Sequence, residues 1–181
     1  MSKEFHAQRL DVKAFAEEGG QIEGQGALES FERLMAETEG RGAANPLTWS
    51  AAGELRNPRH VQPEVWLHLQ AHAVLPLTCQ RCLGPVDAPV SVDRSFRFVA
   101  DEATAEAEDD ASDEDLLVIS RSFDLLALVE DELLMDMPVV PRHEQCPEPV
   151  KLSAEDPGFE DAAERPNPFA VLGKLKGRDG S

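Results

Sequence analysis

Val65-Trp66-Leu67-His68-Leu69-Gln70-Ala71-His72-Ala73-Val74-Leu75 puts Val65, Leu67, Leu69, Ala71 and Ala73 on one side of an extended chain and Trp66, His68, Gln70 and His72 on the other. Side chains of a strand alternate between faces, so this stretch predicts a strand with one dry and one mixed face. His68 and His72 are read as solvent-facing strand residues rather than ligands. The pattern breaks at Cys79-Gln80-Arg81-Cys82-Leu83-Gly84-Pro85 and resumes over Val86 to Ala100 through Val90, Val92, Phe96 and Phe98. That predicts an antiparallel return across a tight connection. Upstream, Leu47, Trp49, Ala51 and Gly53 alternate with polar or small neighbours and predict another half-buried strand, bounded by Gly40 to Pro46 and by Asn57-Pro58. Phe5 to Val12 alternates roughly and suits an edge strand. Ala27 to Thr38 carries Leu28, Phe31 and Leu34 or Met35 at helical spacing.

Phe123 to Met137 is the clearest helical segment. Asp124 suits the N-cap, and Phe123 and Leu128 have the spacing of a hydrophobic staple. Wound at about 100° per residue, the segment places Phe123, Leu126, Val129, Leu133, Leu134 and Met137 on one face. Glu130 falls inside that face, whereas Asp124, Asp131, Glu132 and Asp136 lie elsewhere. A carboxylate buried there needs an arginine or backbone donors, and Arg81 and Arg142 are the candidate partners. Pro138 and Pro141 end the helix. Leu116 to Ser120 reads as a short buried strand. Before it, residues 101–115 are rich in Asp and Glu, with no basic and no large apolar residue, which predicts a disordered acidic loop. From Lys151 onward the chain has too little apolar surface to fold alone. Its segment Arg165-Pro166-Asn167-Pro168-Phe169-Ala170-Val171-Leu172-Gly173-Lys174-Leu175-Lys176 is the one locally basic stretch. An unstructured tail and a peptide that orders on a partner are both consistent with it.

These elements predict an α+β fold: a curved, mainly antiparallel sheet with two or more packed helices, in one domain over residues 1–150. An acidic loop at 101–115 lies within it, and a tail follows over 151–181. The 181 residues suffice for one core, and 41% apolar residues with 6% aromatic make that core mainly aliphatic. The formal net charge is −18. So acidic a body repels phosphate backbones at long range, which excludes a broad electrostatic footprint on nucleic acid and favours basic partners. No run reaches the roughly 20 apolar residues of a membrane span, and residues 1–20 lack the apolar stretch of a signal peptide. A cytoplasmic location without membrane association is expected.

Three cysteines do not make a disulfide framework and suit a reducing compartment. Cys79 and Cys82 stand at the spacing of a metal knuckle, and His143 and Cys146 repeat that spacing after the helix. Together they offer three sulfurs and one nitrogen, a donor set known for structural zinc. Reduced thiols without metal, one structural zinc, and a redox pair all remain open. The redox case is the weakest, because the CxxC lies between two strands and does not open a helix. There is no GxSxG, GxxxxGK[ST], HExxH or dinucleotide fingerprint, so neither an enzyme nor a small-molecule substrate is expected.

Four blocks carry a family resemblance: Leu77-Thr78-Cys79-Gln80-Arg81-Cys82-Leu83; Phe123-Asp124-Leu125-Leu126-Ala127-Leu128-Val129-Glu130-Asp131-Glu132-Leu133-Leu134; Met137-Pro138-Val139-Val140-Pro141-Arg142-His143; and Pro166-Asn167-Pro168-Phe169-Ala170-Val171-Leu172. In content and order they resemble the characteristic blocks of the bacterial YceD family. The resemblance implies a non-enzymatic role in accumulation of large-subunit ribosomal RNA and in ribosome assembly. The expected partners are a basic ribosomal protein, a large-subunit RNA precursor, or both. The acidic loop is then either a solvated insertion or an RNA-mimicking arm. Arg81, Glu130, Glu132, Arg142, Asn167, Phe169, Lys174 and Lys176 are the candidate partner or RNA contacts. Cys79, Cys82, His143 and Cys146 are the candidate metal ligands, and the alternative function is a zinc- or thiol-dependent enzyme using the cysteines.

Overall fold

A fifteen-residue strand, β3 (Glu64–Thr78), lies at the middle of a five-stranded sheet in the computed structural model, which describes residues 4–147 and 169. The sheet is open, and its spatial order equals its chain order: β1 (Gln21–Ala27), β2 (Pro46–Arg56), β3, β4 (Pro85–Val99) and β5 (Asp115–Val118). The first four strands pair antiparallel, while β5 runs parallel to β4. With its helices this is the α+β class that the alternation predicts. Val65, Leu67, Leu69, Ala71 and Ala73 are all buried, and Gln70 and His72 are exposed.

Helices α1 (Val12–Glu17), α2 (Glu32–Glu37) and α4 (Leu125–Met135) supply the apolar layer, and α3 (Glu102–Glu108) lies between β4 and β5. Asp11 caps α1 by accepting the Ala14 N–H at 3.1 Å. Phe15 and Ala16 of α1 lie against Gly53 of β2, where a Cβ would come within 2.7 Å of the Phe15 ring and 2.9 Å of the Ala16 backbone. Only glycine permits that approach of helix to sheet.

Four features of the structure differ from the sequence pattern or go beyond it. Phe5 to Val12 is not a strand: it holds a 3-10 turn (Ala7–Arg9) and the start of α1, and only Leu10 makes a bridge, to Phe123. Strand β1 was missed, because Gly24 and Gly26 dilute its pattern. The acidic segment carries α3, whose first turn is capped by Asp101 accepting the Thr104 N–H at 2.8 Å, and a 3-10 turn (Asp109–Ala111). Finally, the buried stripe of α4 is Leu125, Leu128, Val129, Glu132 and Leu133, with Leu126 and Leu134 at its margin. Those positions follow i, i+3, i+4, i+7, i+8. All six residues of the expected face meet the core, Phe123 from an extended position before the Asp124 cap, but the buried surface is wider than expected and takes in Leu125, Leu128 and Glu132 as well. The expected 151–181 tail lies outside the described residues except for Phe169. Among the described residues no helix is long and apolar enough to cross a membrane.

Glu130 is buried, as expected, but its partner is neither Arg81 nor Arg142. Its Oε1 accepts the backbone N–H groups of Arg33 at 2.8 Å and Leu34 at 3.3 Å, and its Oε2 accepts Arg33 Nε at 3.0 Å. The Phe31 side chain cannot cap α2, so a carboxylate from α4 satisfies the N–H groups that α2 leaves open. Glu130→Ala should lower the free energy of unfolding by about 2–3 kcal/mol in urea titration, since it strands two helix donors, while Arg33 keeps its pair with Asp131. Arg33→Ala, which keeps both backbone bonds, should cost less.

Candidate metal centre

The β3–β4 hairpin closes through a compact turn. Cys79 N–H donates to the Gly84 carbonyl at 2.8 Å, and Leu83 N–H donates to the Cys79 carbonyl at 2.9 Å. Leu83 takes the left-handed conformation, with φ 60°, that reverses the chain after Cys82. On the other side, Pro138 and Pro141 carry the chain away from α4, and Gln80 N–H donates to the Pro141 carbonyl at 2.9 Å. That one backbone bond lays the exit of α4 along the hairpin tip and delivers His143 and Cys146 to the two cysteines.

The ligand atoms of Cys79, Cys82, His143 and Cys146 all lie within 4.8 Å of one another. Cys82 Sγ stands 3.5 Å from His143 Nδ1. Zinc–sulfur and zinc–nitrogen bonds at the tetrahedral angle give ligand-to-ligand edges of about 3.5–3.8 Å, so the four donors fit one ion with little adjustment. Cys79 is fully buried and the other three are half-buried. Burial alone would push the Cys79 thiol up. Hydrogen bonds from the backbone of Cys82, His143 and Arg81 and from the His143 side chain outweigh it and bring the thiol down to about 5, which prepares a thiolate ligand. Burial, together with the sulfurs of Cys82 and Cys79, pushes the Cys146 thiol up. Four protein donors fill a tetrahedral shell and leave no position for a water or substrate, the pattern of a structural rather than a catalytic ion.

Arg81 and Arg142 both belong to this corner. Arg81 is exposed, and Arg142 lines a hollow of about 700 Å³ with Val86, Asp87 and Glu144 among others. Glu130 and Glu132 lie away from it, in the packing of α4. Glu132, expected on the outer side of the helix, is buried with 6% exposure because it occupies the apolar stripe. Arg94 Nε stands 3.2 Å from Glu132 Oε2, yet that oxygen accepts no hydrogen bond among the described residues. Phe169 is exposed, and Asn167, Lys174 and Lys176 lie outside the described residues. Arg33 and Arg94 carry no mark in the sequence of the roles they take here. Each meets its carboxylate across a long chain separation, and no local pattern marks such a pair.

Residues 67–176 match the family model described as Large ribosomal RNA subunit accumulation protein YceD. That span opens in β3 and takes in the cysteine corner and α4. A curated relative bearing the same description, from Haemophilus influenzae, is 34% identical over 104 residues, covering 55% of this chain and 59% of the relative. The aligned part is thus less than two thirds of that relative's length. No solved structure matches the chain.

Burial holds the Glu132 carboxyl above its ordinary value of 4.5; Arg94 opposes this, while Asp115, Asp131 and Asp136 add to it. An acid whose pKa is raised by folding costs stability when ionised, and the cost disappears as pH falls through the raised value toward 4.5. Glu132→Gln should therefore melt higher than the parent at pH 7 to 8, with Arg94 keeping Asp115 at 3.3 Å. The difference should shrink as the pH of the melts is lowered to about 4.5. A pH-independent difference would assign the effect to packing instead.

Proposed function

The chain belongs to the YceD family of large ribosomal RNA subunit accumulation proteins, and on that premise we propose that it supports accumulation of large-subunit ribosomal RNA and ribosome assembly as a non-enzymatic factor. It does so by binding a basic ribosomal protein, a precursor RNA, or both, in the cytoplasm. The family match over residues 67–176 carries the reading. The net charge of −18 supports a basic protein as the direct contact over a broad RNA footprint. RNA, where touched, is met locally by Arg81 and Arg142 at the corner and by Asn167, Phe169, Lys174 and Lys176 in a partner-binding tail, residues 151–181, appended to a single domain over 1–150.

Cys79, Cys82, His143 and Cys146 hold one zinc ion that braces the hairpin tip against the exit of α4. A thiol- or zinc-dependent activity of the same residues is the rival reading, favoured by the lowered Cys79 thiol. Against it stands the burial of that sulfur, which no substrate can approach while the four donors are closed around it.

Affinity purification at low and high salt should recover large-subunit precursors, with ribosomal protein or RNA above background and partial loss at high salt. Neither being enriched, together with unchanged large-subunit RNA on deletion of the gene, would overturn the reading. Elemental analysis should find about one zinc per chain, and Cys79→Ser or a chelator should remove it and lower the melting temperature together. Loss of a turnover at unchanged stability would instead establish the rival.

A further inference from the structure

We propose that the face of the sheet opposite α1, α2 and α4 is a trough for an extended polypeptide segment bearing neighbouring Lys or Arg residues. The face divides into two halves. At one end every charge is answered: Arg56 stacks on Trp66 at 3.8 Å and pairs with Glu54 at 3.0 Å. There His68 bridges Glu54 and Ser95 at 2.8 Å each, and Arg97 pairs with Glu108 at 2.8 Å. The other end is open. Two adjoining concavities of about 700 and 590 Å³ meet there, and both are lined by Glu23, Ser50, Gln70 and Asp93. These four stand in one register row across β1 to β4.

Ser50 and Thr48 of β2 make a low floor. Glu23 of β1 forms one bank. The other is formed by Gln70, whose amide is turned toward Asp93 and donates to it at 3.3 Å. Two strand spacings separate β1 from β3, about 9–10 Å. That leaves room for one extended chain between the banks. The exposed face of an antiparallel sheet is ordinarily just solvated; the contrast between the two halves argues for more here. Glu23 makes no ion pair among the described residues, and Asp93 meets only an amide. The row therefore presents a carboxylate on each side of the floor and no cation. Side chains of an extended segment alternate in direction, so consecutive cationic residues lying over Ser50 would reach Glu23 and Asp93 one each, while Ser, Thr and Gln supply neutral hydrogen bonds. A second copy of this acidic chain, or a phosphate backbone, would bring like charge to the same carboxylates.

The inference rests on the reading of a basic partner given above. Its test is fluorescence anisotropy of a labelled Gly-Ser-Lys-Arg-Lys-Gly-Ser peptide with the full chain at low salt. The double variant Glu23→Gln/Asp93→Asn should weaken binding about fivefold to tenfold, and Ser50→Arg, which lays a built-in cation on the floor, should weaken it at least as much. Glu106→Gln/Asp110→Asn, the same change of charge in the acidic segment, should leave it within about twofold. Urea titration confirms that each variant is folded. Equal weakening by both double variants, no weakening by the first, no binding of the peptide by the parent chain, or tighter binding of a single-stranded RNA than of the peptide at this face each overturns the trough. Failure to recover ribosomal material in the purification overturns the functional reading and leaves the peptide result untouched, so the two failures are separable.

Discussion

The alternation of β3 is the constraint on which the rest of the molecule depends. Its inward row, Val65 to Leu75, receives the helices, and its outward row contributes His68, Gln70 and His72 to the open face. Its end delivers Cys79 to the corner where it meets Cys82, His143 and Cys146. Because side chains change face at every residue, a register slip of one position would bury the polar row and expose the apolar one. Core, open face and corner are therefore fixed together, and the long ladders with β2 and β4 hold all three in place.

Features written in short-range pattern were legible in the sequence. Strands β2, β3 and β4, the Asp124 cap of α4 and the paired spacings of Cys79, Cys82, His143 and Cys146 all lie in local runs. What was not legible depends on contacts between distant segments. Phe5 to Val12 has a strand-like rhythm, but Asp11 starts a helix and only Leu10 pairs, with Phe123. Glu130 announced a buried charge without announcing Arg33, and Glu132 announced nothing, because a helix's buried stripe is known only once its rotation is fixed by what it packs on. The corner itself was half legible: the donor set could be counted, but their convergence depends on the Gln80 to Pro141 backbone bond.

The two buried carboxylates of α4 differ in a way that separates architecture from cost. Glu130 accepts from two helix N–H groups and from the Arg33 side chain, and it completes another helix. Glu132 has a nearby arginine in poor alignment and acidic neighbours, so its burial is a burden that the fold carries. Neighbouring positions of one helix thus hold the best and the worst satisfied acids among the buried ones.

A sheet whose spatial order equals its chain order has a consequence in time. Each strand finds its partner in the segment just before it, so β1 to β4 can be laid down in sequence as the chain emerges during synthesis. The closures that bridge long separations come late in the chain: Leu10 to Phe123 waits for the residue before the Asp124 cap, and Arg33 to Glu130 and Cys82 to His143 wait for α4 or for the residues after it. A nascent chain halted before α4 would hold all five strands with α1 and α2 to cover them, but the part of the apolar face that α4 covers would still be open. The segment from Phe123 to Cys146 is what turns that sheet into a closed core.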